Sequence, residues 1–257
     1  MTSAARVAVI SRFHVIPRLP VLASLVALLL AACPAYAQSR PTVVELYTSE
    51  GCSSCPPAEA QLGRLAQQPD VIALAFHVDY WDDLGWRDRF GLPESVARQR
   101  QYARTLHLPS VYTPQLVIDG QRDLVGGGSD NGIHSDSGSG SGSSNRKPGV
   151  PLELSVANGS LTITLAAQPQ PAACDVLLVS FLPEAASKVT RGENAGRELH
   201  EFNIVRSVRT LGSWQGEARS FNVPLTALAA DATGAAVLVQ QRDQGPIVGA
   251  AAARLAR

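Results

Sequence analysis

The sequence predicts an α/β domain of order β-α-β-α-β-β followed by an all-β, sandwich-like domain. Three observations carry that prediction. A strand-like run, Thr42 to Thr48, leads into Cys52-Ser53-Ser54-Cys55 and then into a helix-like run, Ala58 to Gln67. A Gly- and Ser-rich stretch between residues 126 and 149 interrupts the hydrophobic pattern. Beyond it, two alternating runs flank Asn158-Gly159, a dipeptide that closes tight hairpins.

The first 37 residues read as an export signal. Arg6, Arg12 and Arg18 precede an apolar run, Val21 to Ala32, and Ala35-Tyr36-Ala37 has the small-x-small form of a cleavage site. The apolar run is shorter than the roughly 20 residues that a membrane span needs. The expectation is a periplasmic or secreted protein cleaved after Ala37. Leu30-Ala31-Ala32-Cys33 also has the form of a lipoprotein signal, and lipidation at Cys33 would be its one route to a membrane. Both readings place the chain outside the cytoplasm, where disulfides persist.

The chain has 257 residues, 45% hydrophobic and 17% charged, enough for one large core or two modest ones. Zero formal net charge and the absence of a basic run speak against a nucleic-acid partner. Of four cysteines, Cys33 falls in the signal and Cys52 and Cys55 form the natural pair. Cys174 opens a strand-like run and reads as an idle buried thiol.

Residues 41–128 supply the α/β domain. Ala58, Leu62, Leu65 and Ala66 give the first helix one buried stripe. Val71 to Val78 is nearly all apolar, as in a strand buried on both faces. A loop, Asp79 to Trp86, carries Tyr80, Trp81 and Trp86. Glu94–His107 reads as a second helix, Gln115–Gly120 as a strand and turn, and Arg122–Val125 as its hairpin partner. Residues 129–149 read as a linker or disordered loop. Residues 150–257 hold strand candidates at 152–156, 161–165, 174–181, 200–208, 217–223, 235–242 and 246–254, the spacing of a sandwich. The polar loop Arg191-Gly192-Glu193-Asn194-Ala195-Gly196-Arg197 has no role that its chemistry alone defines.

A strand that empties into C-x-x-C at a helix start is the sequence form of a thioredoxin-type redox site. Unpaired N–H groups at the helix N-terminus favour a thiolate there. The short spacing lets a disulfide close and reopen by exchange. Three readings of the pair stand: redox-active, permanent staple, or metal-holding. A metal pair would take Cu(I) or Zn with help from His77, His107 or His134, yet one C-x-x-C is only half of a structural zinc site. No cofactor and no resident metal are expected. His77, at a strand end, reads as a packed or hydrogen-bonded histidine. No Ser-His-Asp or paired-carboxylate arrangement supports hydrolysis.

The element order resembles the thioredoxin fold, with Thr113-Pro114 where that fold carries a cis-proline. The resemblance implies that the backbone before Pro114 binds a substrate chain by strand addition, making Thr113 and Pro114 substrate contacts. Tyr80 and Trp81, in the adjoining loop, are further substrate-contact candidates that would equally roof a core. A closer similarity rests on Val44 to Ala58, His77-Val78-Asp79-Tyr80-Trp81-Asp82, Tyr112-Thr113-Pro114-Gln115-Leu116 and Arg191 to Arg197. These resemble the DUF1223 family, secreted thioredoxin-like bacterial proteins of undefined function.

The implied function is extracytoplasmic thiol–disulfide exchange with a protein thiol or disulfide partner. Cys52, nearer the loop, would be the more exposed sulfur and Cys55 the resolving one. Alternatives are a Cu(I)- or Zn-binding module and a non-catalytic envelope interaction protein. Leu46 stands where thioredoxins bury an Asp, and Glu45 falls on the opposite strand face. Pro56 and Pro57 push the regular helix start toward Pro57. The oxidoreductase reading requires sulfurs open to solvent and close to Pro114.

Overall fold

A computed structural model describes residues 40–128, 133, 149–170 and 172–255. The expected export signal, Cys33, His134 and nearly all of the Gly/Ser-rich stretch lie outside the described residues. Eleven strands and two α-helices appear among those described. In order these are β1 (Thr42–Thr48), α1 (Pro56–Leu65), β2 (Val71–His77), α2 (Pro93–Thr105), β3 (Gln115–Ile118), β4 (Arg122–Val125), β5 (Leu152–Ala157) and β6 (Ser160–Leu165). Then follow β7 (Cys174–Lys188), β8 (Glu198–Trp214), β9 (Arg219–Pro224), β10 (Gly234–Gln241) and β11 (Ile247–Arg254).

The expected fold class, an α/β thioredoxin-like domain followed by an all-β sandwich-like domain, is corrected by the sheet. Eight strands drawn from both halves of the sequence form one mixed sheet, in the order β11-β10-β7-β8-β2-β1-β3-β4. β1 runs parallel to β2 and β2 parallel to β8, while the other neighbours are antiparallel. The join is narrow, made where Ala75 of β2 meets Ile204 of β8. Asn203, just before it, adopts a left-handed φ of 47° and donates its side-chain N–H to the Ala73 carbonyl at 2.9 Å. Local alternation shows that β2 and β8 are strands but not that they are neighbours.

Three apolar layers stabilise this arrangement. On one face α2 covers Tyr47, Leu74, Phe76, Leu177 and Val205. On the other, α1 places Ala58, Leu62 and Leu65 against Val44, Leu46, Ala73 and Ala75. A three-stranded sheet, β5-β6-β9, packs Leu161, Ile163 and Val223 against Val176, Leu178 and Val237 of β7 and β10. The β5–β6 turn falls on Asn158 and Gly159, both at positive φ, as a tight hairpin requires.

A buried polar knot crosses the α2 layer. Arg98 Nε lies 2.7 Å from the Glu45 carboxylate, and Arg98 also donates to Gln240 Oε1 at 2.9 Å. Tyr102 donates its hydroxyl to Glu45 as well. Burial alone would make each charge costly, so the pair and its hydrogen bonds have to be complete.

Candidate functional site

Cys52 and Cys55 form a disulfide at the start of α1. The helix begins at Pro56, not Pro57, and Cys55 takes helical dihedrals (φ −78°, ψ −33°) as its N-cap. Its carbonyl accepts the Ala58 and Glu59 N–H groups at 2.9 and 3.1 Å. Prolines at the first two positions remove no helical donor, since those N–H groups have no partner in any helix.

Both cysteines are buried, with exposures of 0% for Cys52 and 1% for Cys55. The solvent-open pair, with Cys52 the more exposed, that the oxidoreductase reading required is therefore not found for either sulfur. The cover over Cys52 is the polar loop between β7 and β8. Asn194, fully buried, donates its side-chain amide to the Glu50 carbonyl at 2.9 Å and the Cys52 carbonyl at 3.0 Å. Glu193 accepts from the Ser53 hydroxyl and N–H at 2.6 and 3.2 Å. Gly192, at φ 73°, packs where a Cβ would come within 3.1 Å of Trp86 Cβ. Trp86 in turn donates to the buried Glu50 carboxylate at 2.6 Å.

The substrate-contact candidates gather near α1 but are already engaged. Trp81 donates its indole N–H to the Thr113 hydroxyl at 2.9 Å, and Tyr80 donates to Gln99 at 3.2 Å. Thr113–Pro114 is a cis bond. A Cβ on Gly126 would lie 2.7 Å from Ala58 Cβ and 3.1 Å from Pro114 Cβ, so Pro114 adjoins the first turn of α1.

The sequence reasoning missed what lies on the other side of Cys55. A cavity of about 490 Å³ is bounded by Cys55, Glu59 and Gly63 of the α1 region and by Leu199, Glu201 and Phe202 of β8. Glu59 follows Cys55 by four residues, hence on the same helix face. Its buried carboxyl oxygens make no hydrogen bond of good geometry, although Thr48 and the Phe202 backbone are close. His77 Nε2 is 3.9 Å from Glu59 Oε1 and also lacks a hydrogen-bond partner. His77 Nδ1 meets the buried Asp88 carboxylate at 2.7 Å.

This cluster stores protons near neutrality. Burial raises the Glu59 carboxyl to about 7, despite the opposing pull of His77. Burial, then the carboxylates of Glu50, Glu59 and Asp88, outweigh the pull of His77 and raise Glu201 to about 8. Burial pushes the His77 imidazolium down, but Asp88, Glu201 and Glu59 outweigh it and raise His77 to about 10. The Asp88 carboxyl, though buried, is held below its ordinary value by His77 and by the Glu50 and Phe90 N–H groups. Glu59 was legible only as a polar flank of the helix stripe, and Glu201 only as one polar residue in a strand. Among the described residues no group of three or more His, Cys, Asp or Glu side chains is placed to hold a metal ion.

The model of a family described as a protein of unknown function, DUF1223, matches residues 43–240. No curated protein matches the chain. Among solved structures, the X-ray structure of a structural-genomics target from Agrobacterium tumefaciens is similar, with a TM-score of 0.71 and 31% identity. The match covers 86% of this chain and 96% of that one.

Proposed function

The chain belongs to the DUF1223 family, whose function is unknown, and on that premise we propose an exported protein of thiol–disulfide exchange with Cys52–Cys55 as its reactive bond. One observation supports it above the rest: Cys55 shares a cavity wall with two carboxyl groups that hold protons near neutral pH. Each of the two exchange steps that reduce a disulfide releases one thiolate, and a buried thiolate needs a proton. Glu59, four residues after Cys55 along α1 and on the wall of the same cavity, is the acid placed to supply it. The N-terminus of α1 stabilises the Cys55 thiolate in the meantime.

Both cysteines are buried, but of the two only Cys55 lines the cavity, and the point of attack is placed there. A protein partner, as expected from the sequence, would reach Cys52 only after the Asn194 loop lifts. A second reading, a permanent staple in a non-catalytic protein, is favoured by the burial of both sulfurs. Timed reduction of the folded protein, quenched by alkylation and read by mass spectrometry, separates the two. Exchange requires the bond to open in millimolar dithiothreitol while near-ultraviolet dichroism stays native. A staple opens only as the fold is lost.

A further inference from the structure

We propose that the cavity beside Cys55 is a binding site for a low-mass thiol or disulfide bearing an ammonium group. The inference rests on the exchange reading above and names its substrate class.

The ammonium requirement comes from the buried acids. Asp119 lies 2.6 Å from Arg40, Glu45 has Arg98 and Tyr102, Asp88 has His77, and Glu50 has the Trp86 indole. Glu50 Oε1 also lacks a hydrogen bond, with Arg89 3.8 Å away, but Glu50 does not line the cavity, whereas Glu59 and Glu201 do. Both Glu59 oxygens and Glu201 Oε2 are buried without a hydrogen bond of good geometry, Thr48 and the Phe202 backbone being the nearest groups to Glu59. His77, the nearby cation, is 3.9 Å from Glu59, beyond hydrogen-bond reach, and is committed to Asp88. Buried polar groups left unpaired are costly, and a ligand donor with positive charge satisfies such groups best.

The size requirement comes from access. The volume, about 490 Å³, suits a small organic molecule. The loop holding Asn194 closes the Cys52 side to a polypeptide. The ammonium displaces the protons that Glu59 and Glu201 otherwise hold near neutrality, and a short aminothiol so placed has its sulfur on the Cys55 side of the cavity.

The chemistry balances. A ligand thiolate attacks Cys55 Sγ, the Cys52–Cys55 bond breaks, and Cys52 leaves as a thiolate that takes up a proton. A second ligand thiolate attacks the ligand sulfur of the mixed disulfide. The ligand disulfide departs, and the Cys55 thiolate takes up a proton. Two ligand thiols are oxidised to one disulfide while the protein disulfide is reduced to two thiols. The protons released by the ligand thiols equal those taken up by the cysteines, and the reverse reaction follows the same path.

The test compares cysteamine, mercaptoethanol and mercaptopropionate as reductants of the native full chain, with rates expressed per thiolate. Cysteamine is expected to be faster than mercaptoethanol by about tenfold or more, and mercaptopropionate slowest. Glu201→Gln and Ala60→Phe, the second of which fills the cavity from an exposed helix position, are expected to erase the cysteamine advantage. Using two variants protects the test against misfolding of either. Equal rates per thiolate for all three reductants would overturn the ammonium site while leaving exchange standing. If none opens the bond in the folded protein, both the site and the exchange reading fall.

Discussion

Asn194 donates its side-chain amide to the main-chain carbonyl of Cys52 at 3.0 Å, across 142 residues of sequence. The same amide reaches the Glu50 carbonyl, and Arg197 donates to its oxygen at 3.1 Å. One side chain thus pins the β7–β8 loop over the disulfide.

Replacing Asn194 with Ala removes both amide bonds, taking the side-chain donor from the Glu50 carbonyl while the Cys52 carbonyl keeps the Cys55 N–H at 3.2 Å. A loss of about 2 kcal/mol in stability is expected, read from urea unfolding. If the loop is the cover that limits access, dithiothreitol opens the disulfide about tenfold faster in the variant, because local opening becomes cheaper. An unchanged rate would show that access runs elsewhere.

Stability should fall from mildly acidic to alkaline pH. Glu59 and Glu201 have folded-state values raised to about 7 and about 8 from 4.5. Their contribution is complete below pH 4.5 and is lost as pH climbs through those raised values. His77, raised from 6.5 to about 10, adds a loss at still higher pH. Asp88, lowered from 3.8, acts in the opposite sense and matters only in strong acid. Glu59 alone accounts for on the order of 3 kcal/mol across this range. The melting temperature is expected to be highest near pH 5 and clearly lower at pH 9, with a smaller gap in Glu59→Gln. An equal gap in that variant would remove Glu59 from the proton store.

Arg98→Met strands the Glu45 carboxylate in the core beside Tyr102. A cost of about 3–5 kcal/mol is expected, largely recovered by adding Glu45→Gln. Chemical denaturation of the two variants checks this. Neither residue lines the cavity beside Cys55, so the disulfide's reactivity should stay at the parental level.

Gly63 allows β8 to cross α1: a Cβ there would sit 2.6 Å from the Phe202 ring. Gly63→Ala is expected to cost about 1–3 kcal/mol by overpacking, and Phe202→Leu to relieve part of it. Calorimetry on the single and double variants gives the answer. If Gly63→Ala is neutral, β8 is not held against the helix as described.

Legibility in the sequence followed locality. The apolar run of β2, the stripe of α1 and the Asn158–Gly159 hairpin all declare themselves within a few residues. The partnership of β2 with β8 does not, because it joins Ala75 to Ile204 through long-range register. For that reason a division into a thioredoxin-like domain and a separate sandwich gave way to one eight-stranded sheet. The site divides the same way. Cys52, Cys55, Trp81 and Thr113 stood out by spacing and loop chemistry. Glu59, Glu201 and Asn194 acquire meaning only once β8 lies across α1 and the preceding loop folds onto Cys52.

The most direct test is the reduction potential of Cys52–Cys55 in the folded chain, measured by equilibration in graded dithiol buffers with alkylation and mass readout. The exchange account expects a reversible two-electron midpoint above about −300 mV, with the fold intact on both sides of it. A midpoint well below that, or reduction that proceeds only with unfolding, would mark the bond as a structural staple.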